Sequence, residues 1–400
     1  MDCIKKLQKV LHIWGMRFLS LYGKIIIFKS LAFSKIIYIA SMASVPADII
    51  KLLESIHKDF VWDKKRPNVK HLTLISDYNS GGLRDVDISS KFKSLHLNWL
   101  NRLFDDNFHP WKQVPLYYFN RVSKNYHLFN PNLSIPNRLL STIPLFYRNI
   151  INFWQDISVS TPTNVSMILS ESLCFNNFIK IENSPILPAF TGVGDQIYLS
   201  QLFNDNGDFI PWVEASTKFG LHNYFRWLQI TNAIPTVWKT IVKNSVINRE
   251  TCCLTQHLNK GDKMVPINML SSRFFYDVCI EGKCTRPTSE KYFDRLFGPD
   301  LMWEKIYILP HLVTTDTRVR IFQFKVTHNT LYLNTRLVHL GHSENPLCSL
   351  CHNFNETPIH LFCECHITVA LWRELIVFFQ SRYYPRPHHT SECFAWFFQC

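Results

Sequence analysis

Long uninterrupted apolar runs are missing from this chain of 400 residues. Its most apolar stretch, KIIIFKSLAFSKIIYIASM at 24–42, is broken by Lys29 and Lys35. That falls short of the roughly 20 apolar residues a membrane-crossing helix needs, so no membrane partner is expected. The opening residues, MDCIKKLQKV, carry lysines without the apolar core of a secretory signal behind them. The chain is therefore expected in the cytoplasm and nucleus, with its cysteines held as reduced thiols. Glycine is scarce, at 12 residues, which leaves little room for a Gly-rich phosphate loop; Gly81-Gly82 reads as a turn needing positive φ. No residue stands in a recognisable nucleophile–base motif, and no small-molecule substrate is expected. Acidic side chains are in deficit too, 31 against 43 Lys and Arg, for a net charge of +12.

The deficit is uneven. Residues 1–100 hold sixteen Lys/Arg against eight Asp/Glu, so this quarter carries +8 of the +12. A basic face of that kind suits a polyanion; the alternative is the solvated side of ordinary helices. Helical spacing supports helices there, with Leu7, Val10, Leu11, Trp14, Phe18 and Leu21 recurring on one stripe and Lys5, Lys6, Lys9 and Arg17 between them. A second pattern, DIIKLLESIHKDFVW at 48–62, opens after Pro46 and ends in the basic loop DKKRPNVK. From about 101 to 290 the chain is rich in Phe, Asn, Pro and Trp, and stretches such as PNLSIPNRLLSTIP and ENSPILPAFTGVGD read as connections between short elements. Periodic runs after 290 favour helix again. With 46% hydrophobic residues the expected fold is mainly α, with few and local strands. By composition the chain divides at about 100 and 290.

Four of the twelve cysteines fall within residues 348–365, CSLCHNFNETPIHLFCEC. Cys348 and Cys351 form C-x2-C, which lets two sulfurs on one tight turn grip a single ion. His360 follows after eight residues and Cys365 after four more. Three thiolates and an imidazole match closed tetrahedral coordination of one structural Zn²⁺, with no vacant position for a catalytic water. Cys363 competes for the fourth place. Cys365 is preferred because it sits just before the helical stripe of Ile367, Leu371, Trp372, Leu375, Ile376 and Phe379, whose N-terminal dipole favours a thiolate. The competing reading is four buried, metal-free thiols. His388-His389 with Cys393 form a poorer cluster, read as a solvated tail.

These residues carry a resemblance. Cys348-x2-Cys351, Glu356-Thr357-x2-His360-Leu361-Phe362-x2-Cys365 and Trp372 resemble the zinc knuckle near the C-terminus of LINE-type (non-LTR) retrotransposon reverse transcriptases. Arg318-x3-Phe322-Gln323-Phe324-Lys325, His328, Leu331, Asn334 and Leu337 resemble the helical lead-in to that knuckle. Residues 19–46, Phe60-Val61-Trp62 and Gly81-Gly82-Leu83 resemble the thumb region that follows the polymerase palm. The resemblance implies a thumb-like basic helical region over 1–100, a helical linker with irregular loops over 101–290, and a lead-in plus zinc-binding domain over 291–400. It also implies binding of RNA and of an RNA–DNA hybrid or target DNA during target-primed reverse transcription. The groups that fit phosphate contact are Lys24, Lys29 and Lys35 in one helical region, Lys64, Lys65, Arg66 and Lys70 in the loop beside Trp62, and Lys325, Arg336 and Arg373 around the knuckle.

The palm itself is missing from the pattern. Polymerases of this family hold two metal ions on palm carboxylates, one pair in an aromatic-x-Asp-Asp hairpin. The only Asp-Asp here, Asp105-Asp106, lacks flanking strands and follows the thumb-like segment, so it reads as a loop or helix-end pair. Pro299-Asp300 with Glu304-Lys305 faintly echoes a nuclease signature, but the spacing is too short and a helix start, with proline at its first position and an acid in its first turn, explains it better. The chain is thus expected to be the C-terminal portion of a longer polyprotein and not an enzyme by itself. The rival expectation is a decayed or co-opted module whose knuckle binds another protein.

Overall fold

The computed structural model describes residues 2–123, 127–191, 197–245, 257–260 and 263–380. Phe379 contributes backbone only, and His388, His389 and Cys393 lie outside the described residues. Helices dominate. The strands described are two short antiparallel hairpins, Lys180–Ile181 with Ser184–Pro185 and His257–Lys260 with Lys263–Pro266, the latter in register His257 to Pro266.

The first helix, Asp2–Gly15, buries Leu7 and Leu11 as the stripe predicts. It does not continue to Leu21. The helix stops at Gly15, a poor helix former, and Phe18 lies outside it, fully exposed. A new helix, Leu21–Ile27, starts behind Ser20, whose Oγ accepts the Gly23 N–H at 3.2 Å. A π-turn over Phe28–Ala32 and a helix over Ser34–Met42 follow. No single helix among the described residues is long and apolar enough to cross a membrane; Leu21–Ala32 and Ser34–Met42 pass by length and composition only as a pair bent by 49°. Helix Ala47–Val61 fulfils the second periodic pattern and buries Leu53, His57 and Val61.

The compact units do not follow chain order. Among the described residues, one comprises those within 39–46 and 89–279, the other those within 2–38, 47–88 and 280–380. The first has one large apolar core built from short helices, with Leu97, Phe119, Phe129, Trp154, Phe175 and Trp238 among its buried members. In the second, two clusters stand out among the described residues. Ile25, Val61, Leu74 and Leu83 meet Phe324, and Phe293, Leu301, Trp303, Ile306, Tyr307, Val326 and Cys363 form the other. The three-part division by composition cannot show this return, because nothing local in residues 1–88 announces a partner near residue 324.

Two turns fix the local geometry. Gly81 has φ +77°, whereas Gly82 is needed for space: a Cβ there would stand 1.9 Å from the Ser76 carbonyl oxygen. The helix expected to open on Pro299 opens instead at Trp303 and runs to Val313, with Glu304 in its first turn. Pro299-Asp300 lie in the turn before it, since the apolar run that buries Trp303, Ile306 and Tyr307 begins only there.

Candidate metal centre

Residues 346–366 have little regular structure, so side chains must hold them in place. A single antiparallel bridge pairs Leu347 with Asn355, and the Cys348 N–H donates to the Phe354 carbonyl at 2.7 Å. The turn between brings Cys351 back towards Cys348, with His352 at φ +57°. A π-turn over His360–Glu364 then buries both His360 and Cys363. The Cys365 N–H donates to the His360 carbonyl at 2.7 Å, and the helix His366–Gln380 starts immediately after Cys365.

The result is a cluster. One ligand atom each from Cys348, Cys351, His360 and Cys365 lies within 4.8 Å of the others. Cys351 Sγ stands 3.2 Å from His360 Nε2. Ligands about 2.0–2.3 Å from a tetrahedral zinc stand roughly 3.3–3.8 Å apart, so this pair is already near coordination spacing. Cys348 and Cys365 are fully buried. The Asn353 N–H and His360 pull the Cys351 thiol down to about 6, whereas burial pushes the Cys348 thiol up. A soft dication suits this set, because it holds the buried sulfurs as thiolates and neutralises their charge. Cys363 is different. It packs with Phe293, Trp303 and Tyr307, and burial together with Glu364 pushes its thiol up to about 12.

A carboxylate missed as a working part holds the cluster's frame. Glu356 is 5% exposed and accepts the Asn334 N–H at 3.0 Å and the Ser349 N–H at 2.7 Å. Asn334 also donates to the Leu347 carbonyl at 2.6 Å, and the Thr335 hydroxyl donates to the Glu356 carbonyl at 2.6 Å. Thr357 Oγ1 accepts the His360 N–H at 3.1 Å. Burial works against the Glu356 charge, but the Ser349 and Asn334 donors outweigh it and keep its carboxyl below the usual range. The helix Asn334–His339 is thereby tied to the metal loop. Glu356→Ala is expected to weaken zinc binding by about 10–100-fold, read by competition with a chelating dye. Glu356→Gln should recover part of that loss, since one oxygen still accepts.

The helix after the cluster is anchored by Trp372, whose indole N–H donates to the Phe362 carbonyl at 2.7 Å. The apolar stripe predicted there is only partly used: Ile367 is 43% and Leu371 58% exposed, with Trp372, Leu375 and Ile376 half-buried.

The basic residues separate into groups. Lys64, Lys65, Arg66 and Lys70 are exposed in the loop after Val61, as are Lys29, Lys35, Lys325 and Arg373 elsewhere. Lys29 donates to the Arg84 carbonyl. Lys24 does not belong with them: it is 7% exposed and forms an ion pair with Asp63, so its charge is neutralised within the fold. Arg336 is half-buried, donating to the Asn329 carbonyl at 3.1 Å and to Asn68 Oδ1 at 3.2 Å. Asp105-Asp106 lie in the loop that follows helix Ile88–Leu103, where the Asn107 amide donates to Asp105 at 3.0 Å.

Residues 300–372 match the family model described as zinc-binding in reverse transcriptase. The match takes in Cys348, Cys351, Glu356, His360, Cys365 and Trp372, and marks this stretch as a reverse-transcriptase-associated zinc-binding domain. A comparison with curated proteins finds no match for the chain.

Proposed function

We propose that this chain is the nucleic-acid-binding, C-terminal portion of a LINE-type non-LTR retrotransposon reverse transcriptase. It holds RNA template and target DNA during target-primed reverse transcription, in the cytoplasm and nucleus, while the polymerase palm lies outside these residues. Cys348, Cys351, His360 and Cys365 hold one structural zinc, which folds a segment too short to fold alone. One observation carries the reading. The basic loop is docked on the zinc-domain lead-in, with the Asn68 amide donating to the Tyr332 hydroxyl at 3.0 Å and Arg336 donating back to Asn68. Lys64, Lys65, Arg66 and Lys70 therefore lie in a loop docked beside Arg336, and phosphates can be met by this loop and the zinc-domain lead-in at once.

Single-stranded RNA and RNA–DNA hybrid should bind with little sequence preference and a steep salt dependence. Exchanging Lys64, Lys65, Arg66 and Lys70 together for glutamine should lessen the log–log salt slope by about 3, roughly 0.7 for each of four phosphates no longer neutralised on a single strand. Chelating zinc should weaken binding with a smaller change in slope, because the metal domain positions more than it charges. The rival reading, a protein-interaction module, draws on the exposed Ile367, Leu371, Val377 and Phe378 of the last described helix. Salt-independent RNA affinity, or a quadruple variant that binds as the parent does, favours that rival.

A further inference from the structure

A second group of metal-type ligands lies outside the matched domain. His57 on helix Ala47–Val61, His71 at the start of the short helix His71–Leu74, and Asp85 in the loop before helix Ile88–Leu103 converge in one place. One ligand atom from each lies within 4.8 Å of the other two. His57 Nε2 stands 3.1 Å from Asp85 Oδ1, and His71 Nε2 stands 3.7 Å from Asp85 Oδ2. The Asp85 side chain is fully shielded from solvent, the His57 side chain is 5% exposed and that of His71 40%.

The unusual feature is the His71–Asp85 spacing. Both Asp85 Oδ2 and His71 Nε2 are buried atoms without a hydrogen-bond partner. A carboxylate oxygen left unpaired in the interior is destabilising, because it has lost its hydration with nothing to replace it. At 3.7 Å the pair is too far apart for a direct hydrogen bond. It is also too close for a water at about 2.8 Å from each to bridge at a comfortable angle. An ion about 2.0–2.1 Å from each atom spans the gap at an angle somewhat wider than tetrahedral. His57, whose Nε2 now meets the other carboxylate oxygen, Oδ1, at 3.1 Å, completes the group of three ligand atoms within 4.8 Å of one another. Asp85 Oδ1 also accepts the Val86 N–H at 2.8 Å, which fixes the carboxylate's orientation. The Phe28 ring meets His57 edge-on at 4.3 Å between centroids and supplies an apolar wall.

We propose that His57, His71 and Asp85 form a second, three-ligand site for a zinc-class divalent ion, with an exchangeable fourth position. That position faces a cleft of about 710 Å³ lined also by Glu54, Lys58, Trp62, Lys70 and His328. Two neutral imidazoles and one carboxylate leave the bound ion a net positive charge, and Lys58 and Lys70 add to it at the cleft. The fourth ligand is therefore water, hydroxide or an anionic oxygen. Unlike the Cys3His cluster, this donor set has no sulfur and stays open, the pattern of zinc sites that exchange ligands. The proposal stands independently of the nucleic-acid reading.

Two measurements on the full chain test it. The reduced, metal-stripped protein titrated with Zn²⁺ should take up about two ions, and His71→Ala should reduce this to about one. His71 is the most exposed of the three, so its loss leaves the apolar core alone; an unchanged circular dichroism spectrum checks this. Co²⁺ loading separates the two sites. His71→Ala should keep the intense thiolate-to-metal absorption, whereas Cys348→Ser with Cys351→Ser should lose it and retain weak d–d bands from a nitrogen and oxygen site. Uptake of a single ion by the parent chain overturns the proposal. So does a His71→Ala variant that still takes two ions, or a double cysteine variant with no residual Co²⁺ bands. Any of these results would make His57, His71 and Asp85 a buried hydrogen-bonding group only.

Discussion

Cys351→Ser or His360→Ala is expected to release the zinc of the Cys3His site and to unfold residues 346–366 locally. Besides the ligands, this loop is held mainly by the Glu356 hydrogen bonds and a few backbone ones. Its strand pairing is one bridge, Leu347 with Asn355, and its buried side chains are Cys348, His360 and Cys365 together with Glu356 and Cys363. Binding free energies at structural zinc sites of this kind are about 10–16 kcal/mol at neutral pH, and that energy is folding energy. Losing one of four ligands should therefore lower affinity by at least about a thousandfold. In Co²⁺-loaded protein the thiolate-to-metal absorption should vanish, and limited proteolysis should cut within 346–366 while residues 89–279 stay protected. Cys363→Ser should leave the metal in place, because that sulfur packs against Phe293, Trp303 and Tyr307. If instead Cys363→Ser loses the metal and Cys365→Ser keeps it, the fourth ligand has been assigned to the wrong cysteine.

Why the ligand set was readable is a matter of range. Cys348, Cys351, His360 and Cys365 sit on one short loop, so their spacing along the chain nearly dictates their spacing in space. The choice between Cys363 and Cys365 is less local. It turns on the helix that begins at His366 and on the apolar cluster around Trp303 that claims Cys363. Mainly helical structure was equally legible, because amphipathic spacing is a local property. Element ends were not: Phe18 continues the periodic stripe by position, yet Gly15 stops the helix before it.

What the sequence hides is long-range. Lys24 looks like its basic neighbours and is distinguished only by Asp63, 39 residues further on. Asn68 meets Arg336 across 268 residues, and that contact puts the basic loop beside the zinc domain. His57, His71 and Asp85 come from a helix, a one-turn helix and a loop, with no motif spacing to announce them. Glu171 is hidden in the same way, and its surroundings give the chain a pH response that composition does not suggest.

Stability of the unit formed by residues 39–46 and 89–279 should carry a component that falls as pH rises through about 7. Glu171 is fully buried in that unit, and burial raises its carboxyl from 4.5 to about 7 against the hydrogen bonds it accepts. Those bonds come from Asn132 Nδ2 at 2.6 Å and Asn176 Nδ2 at 2.7 Å. Both amides are held donor-inward, because Asn132 Oδ1 accepts the Ser160 N–H at 2.7 Å and Asn176 Oδ1 the Phe178 N–H at 2.8 Å. The sign follows from proton counts. Between the unfolded value, near 4.5, and about 7, the folded protein binds more protons at Glu171 than the unfolded chain does. Unfolding free energy from this group is thus greatest below 4.5 and is lost as pH climbs to about 7, by up to about 3 kcal/mol. His96 opposes it, since burial lowers its ring below 6.5 and removes stability as pH falls. The parent profile is therefore a balance, and only a difference isolates Glu171. Glu171→Gln mimics the protonated form and cannot ionise. Denaturant unfolding of parent and variant, followed at pH 5 and pH 8, should show a parent advantage at pH 5 that shrinks or reverses at pH 8. Parallel profiles would mean that Glu171 stays ionised throughout, its charge held by the two asparagines against the cost of burial.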